Sequence, residues 1–159
     1  MRETVCVLLT GRAGAGKTTI GRGVADELRR RGRPCGLLEA DAVDRHLRPG
    51  TDSLVWCCTL LVESGTHVIV TTPVPTRAAR EELRDAVPAL LEIFVDAPAA
   101  LCEGRSGRAD EDYEEPYAAE LRVPTHDRDA AASIAQAVSF LEERGVAPHD
   151  PIHPSEQQP

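Results

Sequence analysis

Gly11-Arg12-Ala13-Gly14-Ala15-Gly16-Lys17-Thr18-Thr19 fits the phosphate-loop pattern G-x-x-x-x-G-K-[ST] at every required position. The flanks agree with it. Thr4-Val5-Cys6-Val7-Leu8-Leu9-Thr10 is a short apolar run suited to a buried parallel strand, and a helical pattern starts just past Gly16. Small residues at 13 to 16 let successive backbone N–H groups point at phosphate oxygens, and the start of the following helix favours the same anion. Gly11, Ala13, Gly14, Ala15, Gly16, Lys17, Thr18 and Thr19 are therefore the expected phosphate cradle. Lys17, the only lysine in the chain, would reach the β- and γ-phosphates, and the Thr18 hydroxyl would ligate Mg²⁺. Thr19 stands where a dinucleotide fingerprint needs glycine, which excludes that class.

Outward from the loop, apolar runs alternate with helical patterns. Ile20, Val24 and Leu28 repeat at helical spacing, with Arg29-Arg30-Arg31 in the last turn and Gly32 as a stop. Residues 33–38 read as a second strand ending in Glu39-Ala40-Asp41. His46 to Gly50 is a turn, and Asp52 to Glu63 a mostly apolar helix containing Trp56. Residues 66–72 form a third strand, Thr76 to Ala86 a helix bearing Arg77, Arg80 and Arg84 near one face, and Leu90 to Asp96 a fourth strand. A short helix follows from Pro98 to Glu103. The polar stretch Gly104 to Pro116 reads as a mobile flap, Glu120 to Val123 as a fifth strand, and a last helix capped by Asp127 or Asp129 reaches Arg144. Such alternation predicts a three-layer α/β phosphate-loop NTPase fold, with a mainly parallel five-stranded sheet and helices on both faces. Ligands would bind at the carboxyl ends of the strands. One domain over 1–146 and a Pro-rich polar tail over 147–159, expected to be disordered, complete the organisation.

A net charge of −8 over 159 residues argues against a general nucleic-acid or membrane-surface binder. No apolar run is long enough to span a membrane and no signal peptide is recognisable, so the expected location is the cytoplasm. Cys6, Cys35, Cys57, Cys58 and Cys102 form neither a C-x-x-C pair nor a Cys/His cluster, which suits a reducing compartment. The absence of asparagine removes the Asn-Lys-x-Asp base reader of a GTPase. A motor ATPase would want more chain and a clear strand-end carboxylate, for which Asp96 and Glu39-x-Asp41 are the candidates. A short chain with a flap and arginines around it suits a small-molecule kinase, in which water is shut out before phosphoryl transfer.

The runs Leu38-Glu39-Ala40-Asp41-Ala42-Val43-Asp44-Arg45, Phe94-Val95-Asp96-Ala97-Pro98, Leu101-Cys102-Glu103-Gly104-Arg105 and Tyr113-Glu114-Glu115-Pro116, followed by Glu120-Leu121, resemble the adenylylsulfate kinase family in the right order. That resemblance implies transfer of the ATP γ-phosphoryl to a hydroxyl of adenylyl sulfate or of a divergent small-molecule acceptor. It makes Asp41, in the place of the second Asp of the family's Asp-Gly-Asp, the candidate general base or Mg²⁺-water ligand, with Glu39 in the place of the first. Plain strand-end caps remain the other reading of this pair. Arg105 would lie against the adenine, or else be a solvated flap arginine.

The departures fall on the acceptor side. The family's Arg-x-x-Asn-x-x-Arg helix lacks its Asn here, and neither Phe94 nor Phe140 can serve as the lid aromatic. The lid lysine is missing, about a dozen residues are deleted between Arg105 and Tyr113, and the family's Ile-Ser-Pro becomes Pro73-Val74-Pro75. Arg45, Arg77, Arg80, Trp56 and Tyr113 are the candidates for a different acceptor pocket, with core packing the competing role for Trp56. Two functions stay open at this point. One is an ATP- and Mg²⁺-dependent small-molecule kinase, with a homodimer possible. The other is a nucleotide-binding regulatory or partner module whose transfer activity has decayed.

Overall fold

The computed structural model describes residues 3–46 and 51–147. Its centre is β1 (Cys6–Thr10), every residue of which is buried. Parallel strands pair with both of its edges and helices pack on both of its faces, so the run from Cys6 to Leu9 is apolar. Cys6 lies opposite Val68 on β3 (His67–Val70) and Leu90 on β4 (Leu90–Asp96). With β2 (Cys35–Leu38) and β5 (Leu121–Pro124) at the edges, the sheet order is β2-β3-β1-β4-β5, parallel throughout. This is the expected three-layer phosphate-loop NTPase architecture.

Strand alternation divides the core in two. Val7 and Leu9 face α1 (Lys17–Arg30) and α6 (Ala130–Glu143), where they meet Val24, Leu28, Ala137 and Leu141. Cys6 and Leu8 face α3 (Thr51–Glu63) and α4 (Arg77–Ala86), where they meet Leu54, Cys58, Val62 and Leu83. Asp129 is the residue that caps α6, its carboxylate accepting from Ala132 N at 2.8 Å.

Three expectations change. The stretch after Glu39 is helical, as α2 (Ala40–His46), where the sequence suggested no element; of the turn expected over His46 to Gly50, His46 belongs to the helix and 47–50 lie outside the described residues. The helix after β4, α5 (Ala99–Ser106), runs into the stretch read as a mobile flap, and Gly107 ends it in the left-handed conformation. Beyond Gly107 the chain is pinned by contacts to α4 at one end and to the phosphate loop at the other. Ala147, the last described residue, is fully buried, and 148–159 lie outside the described residues.

Candidate active site

The loop between β1 and α1 is shaped by close approaches that only glycine tolerates. A Cβ on Gly11 would lie 2.5 Å from the Val95 carbonyl oxygen. One on Gly14, whose φ is +82°, would lie 2.7 Å from the Cys102 oxygen. The loop is thereby pressed against the end of β4 and the middle of α5. Thr125, just after β5, holds it from the other side by donating from Oγ1 to Ala15 O at 3.1 Å.

Gly16 supplies no side-chain cap to α1, and no acidic residue occupies that helix's first turn. The positive end of the helix is left without a resident side-chain anion of its own. Lys17 donates from Nζ to Gly11 O at 2.7 Å and Arg12 O at 2.9 Å, wrapping back over the loop. Burial lowers its pKa, and the charge of Asp110 works against that shift. An ammonium held on carbonyls at a helix start, among loop amides, is suited to a phosphate group. Thr18 and Thr19 are exposed beside it.

The strand-end carboxylates are not equivalent. Glu39, leaving β2, is held by Arg22 of α1 through Nε to Oε1 at 2.8 Å and Nη2 to Oε2 at 3.1 Å, a bidentate pair that fixes its direction. Asp41 belongs to the first turn of α2, but its side chain lies outside the described residues. Asp96, at the end of β4, is committed to Arg122 on β5 at 2.6 and 2.8 Å, which removes it as a free strand-end carboxylate. Among the described residues no group of three or more His, Cys, Asp or Glu side chains is placed to hold a metal ion. For magnesium, the described donor is the exposed Thr18 hydroxyl, and Asp41 enters only by its place in the chain.

On the α6 side of the loop, Ala15, Gly16, Thr19, Arg105, Thr125 and Arg128 line a cavity of about 190 Å³. Arg105 reaches it from α5, its Nη1 donating to Gly14 O at 3.4 Å. Thr125 and Arg128 join the lining, although nothing local in the sequence distinguishes them from an ordinary loop.

On the other side the acceptor candidates separate. Arg80 is 4% exposed and is spent internally. It donates to Val74 O at 2.8 Å, Pro75 O at 2.9 Å and Glu114 O, and its Nε lies 3.2 Å from Glu92 Oε1, off the hydrogen-bonding line. Arg77 is only partly tied: its amide donates to Glu114 Oε2, its Nε to Glu115 O, and its guanidinium lies 3.7 Å from the ring centre of the exposed Tyr117, with which it lines a small cavity. Arg80 alone is enclosed, because the helix face toward β4 presents it to Glu92 and to the 107–117 segment.

Tyr113 is buried and stacked on Phe94 at 6.4 Å between centroids, under the guanidinium of Arg12 at 5.2 Å. Trp56 is 63% exposed on α3, so core packing is not its role. Arg45 is exposed near the end of α2. Asp110, by sequence no more than part of an acidic flap, sits directly on the loop. Its Oδ2 accepts from Ala13 N at 2.8 Å and its carbonyl from Arg12 Nη1 at 3.1 Å.

Residues 3–124 match the sequence profile of the family described as adenylylsulphate kinase. An adenylyl-sulfate kinase of Synechococcus sp. (strain JA-2-3B'a(2-13)) is 32% identical over 171 aligned positions, covering 91% of this chain and 98% of the relative. Among solved structures, the Mycobacterium tuberculosis APS kinase CysC in complex with AMPPNP and APS superposes with a TM-score of 0.75 at 23% identity, covering 89% of this chain and 99% of that one. The hexameric APS kinase from Thiobacillus denitrificans gives 0.74 at 26% identity, covering 91% of this chain and 30% of that one. With three-quarters of its length matched by the family profile and a full-length relative at this identity, the chain belongs to the adenylylsulphate kinase family.

Proposed function

We propose that the protein is an ATP- and Mg²⁺-dependent small-molecule kinase that moves the γ-phosphoryl of ATP onto an acceptor hydroxyl. The acceptor is adenylyl sulfate or a divergent molecule that takes its place. The observation that carries this is Lys17, bonded to Gly11 O and Arg12 O at an uncapped helix start, within a chain of this family. Magnesium, held by Thr18 and Asp41, would offset charge on the β- and γ-phosphates. Lys17 and the loop amides orient the phosphates. Arg105, with Thr125 and Arg128, lines the nucleoside end of the site.

In the transfer, a bond forms between the acceptor oxygen and the γ-phosphorus while the bond from that phosphorus to the bridging oxygen breaks, leaving ADP. The acceptor proton passes to the Asp41 carboxylate. Glu39, fixed by Arg22, keeps a second negative charge near Asp41 in the chain. Arg45, Trp56 and Arg77 stay as acceptor-side residues in this reading, and the enclosed Arg80 leaves it. The altered acceptor side keeps a divergent substrate in view, because a site that loses hydrogen-bonding partners loses discrimination for its former ligand.

The five free cysteines suit a cytoplasmic location, and among the described residues no helix is long and apolar enough to cross a membrane. Trp56 and Leu60, one turn apart and both more than half exposed, are the surface on which a homodimer would be sought by sedimentation. The activity is tested by ATP consumption with adenylyl sulfate and with a panel of hydroxyl acceptors, for the parent, Lys17→Ala and Asp41→Ala. Acceptor-dependent turnover in the parent, lost in both variants, supports the kinase. ATP binding without turnover on any acceptor would leave a nucleotide-binding module instead.

A further inference from the structure

The segment 107–117 is strapped across the phosphate loop at one end and clamped to α4 at the other. At the α4 end, Glu114 N donates to Pro75 O at 2.9 Å, Glu114 Oε2 accepts from Arg77 N at 2.7 Å, and Glu115 O accepts from Arg77 Nε at 2.7 Å. In the middle, Tyr113 packs on Phe94 beneath Arg12. At the loop end, Asp110 puts its carboxylate on the amide of Ala13 and its carbonyl on the guanidinium of Arg12.

A carboxylate taking a backbone amide of a phosphate loop does there what a phosphate oxygen does: it is an anion accepting from a donor aimed out of a glycine-rich turn. Lys17 feels its charge, which favours the protonated ammonium. A triphosphate brought into the same cradle would meet that carboxylate as a like charge at close range, and such juxtaposition is unfavourable.

We propose that Asp110 is a resident anion of the phosphate loop that ATP must displace from the Ala13 amide, so that this residue sets nucleotide affinity and couples binding to movement of the 107–117 strap. The inference rests on the reading that the loop binds ATP. Asp110 is thereby a positioning residue, acting on the strap when the site is empty and yielding when the triphosphate arrives. The contacts of Glu114 and Glu115 to Pro75 and Arg77, with the Tyr113 packing on Phe94, give the displaced strap a fixed hinge side toward α4.

The test is calorimetric titration of Mg-ATP into the full chain, comparing the parent with Asp110→Asn, which keeps an acceptor for the Ala13 amide without the charge, and with Asp110→Ala, which keeps neither. Thermal melting of the ATP-free proteins shows that each variant is folded, and Asp110→Asn carries the test alone if Asp110→Ala does not fold. The expected result is a Kd about three- to tenfold lower for Asp110→Asn at low salt, with the gap narrowing as ionic strength rises. Equal or weaker ATP binding by Asp110→Asn, in a parent that binds ATP and a Lys17→Ala that does not, overturns the resident-anion role and leaves the ATP site standing. If neither the parent nor Asp110→Asn binds ATP, the ATP reading falls and takes this inference with it.

Discussion

Arg80 of α4 and Glu92 of β4 form an ion pair at 3.2 Å with side chains only 4% and 6% exposed. Thr10 Oγ1, at the mouth of the phosphate loop, donates to the same carboxylate at 2.9 Å, and Arg84 Nη2 reaches its other oxygen at 3.3 Å. The network thus fixes the end of β1 from which the loop departs. Removing one member of a buried pair leaves the other uncompensated, which costs about 3 kcal/mol or more. Glu92→Gln is expected to lower the unfolding free energy by that amount, read by chemical denaturation, with Arg80's three carbonyl partners limiting the loss. A change below about 0.5 kcal/mol would mean that the pair does not hold the loop's base.

The glycine at position 14 gives a sharper test of loop geometry. Alanine there would adopt φ near +82° with its Cβ against the Cys102 oxygen, so the loop must shift. Gly14→Ala is expected to weaken ATP binding at least about tenfold while the sheet core still folds, as read by calorimetry and circular dichroism. Gly16→Ala, whose Cβ would meet nothing within 4 Å, separates crowding from strain, since its φ is also positive.

His67 predicts how stability depends on pH. It is 2% exposed on β3, its Nδ1 accepting from Val5 N at 3.2 Å, and burial with the nearby Arg33 charge lowers its pKa to about 4. A depressed histidine pKa means that the unfolded chain binds the proton first. Its stabilising contribution is therefore complete above pH ~6.5, lost as pH falls from there, and gone below about pH 4. The total is about 3 kcal/mol. His67→Asn offers an uncharged acceptor to Val5 N, and denaturation from pH 7 to 4 is expected to show a shallower loss than in the parent. Parallel profiles would contradict this.

Arg22 and Glu39 separate stability from function. The pair is bidentate but Arg22 is 61% exposed, so Arg22→Ala is expected to change stability by less than about 1 kcal/mol. Glu39→Gln is expected to lower acceptor-dependent turnover about tenfold or more with ATP affinity little changed. Unaltered turnover in Glu39→Gln would reduce Glu39 to a cap of β2.

How much could be read in the sequence depends on how far each signal reaches along the chain. The phosphate loop is a local pattern between a strand and a helix. β4 is an apolar run bounded by Pro88 and Pro98, and its bounds come out as expected. α2 was not legible because seven residues are too few to show a helical period. On α3, apolar residues run all round. Burial selects Leu54, Cys58 and Val62 at four-residue spacing, which turns Trp56 and Leu60 outward. That Arg77 and Arg80 share a face was readable. Whether the face meets substrate or Glu92 depends on a strand that lies elsewhere in the sequence. The contact between Ala13 and Asp110 spans 97 residues and leaves no spacing signature, so from the sequence the acidic run reads only as part of a mobile flap.

Transfer of the label from γ-labelled ATP is the most direct measurement on the central claim, with adenylyl sulfate in one arm and a mixture of small hydroxyl acceptors in the other. Label covalently attached to an acceptor is expected in the parent, and at least about a thousandfold less in Lys17→Ala. Label that stays on ATP or appears only as inorganic phosphate in both arms, in a parent shown to bind ATP, would contradict that claim.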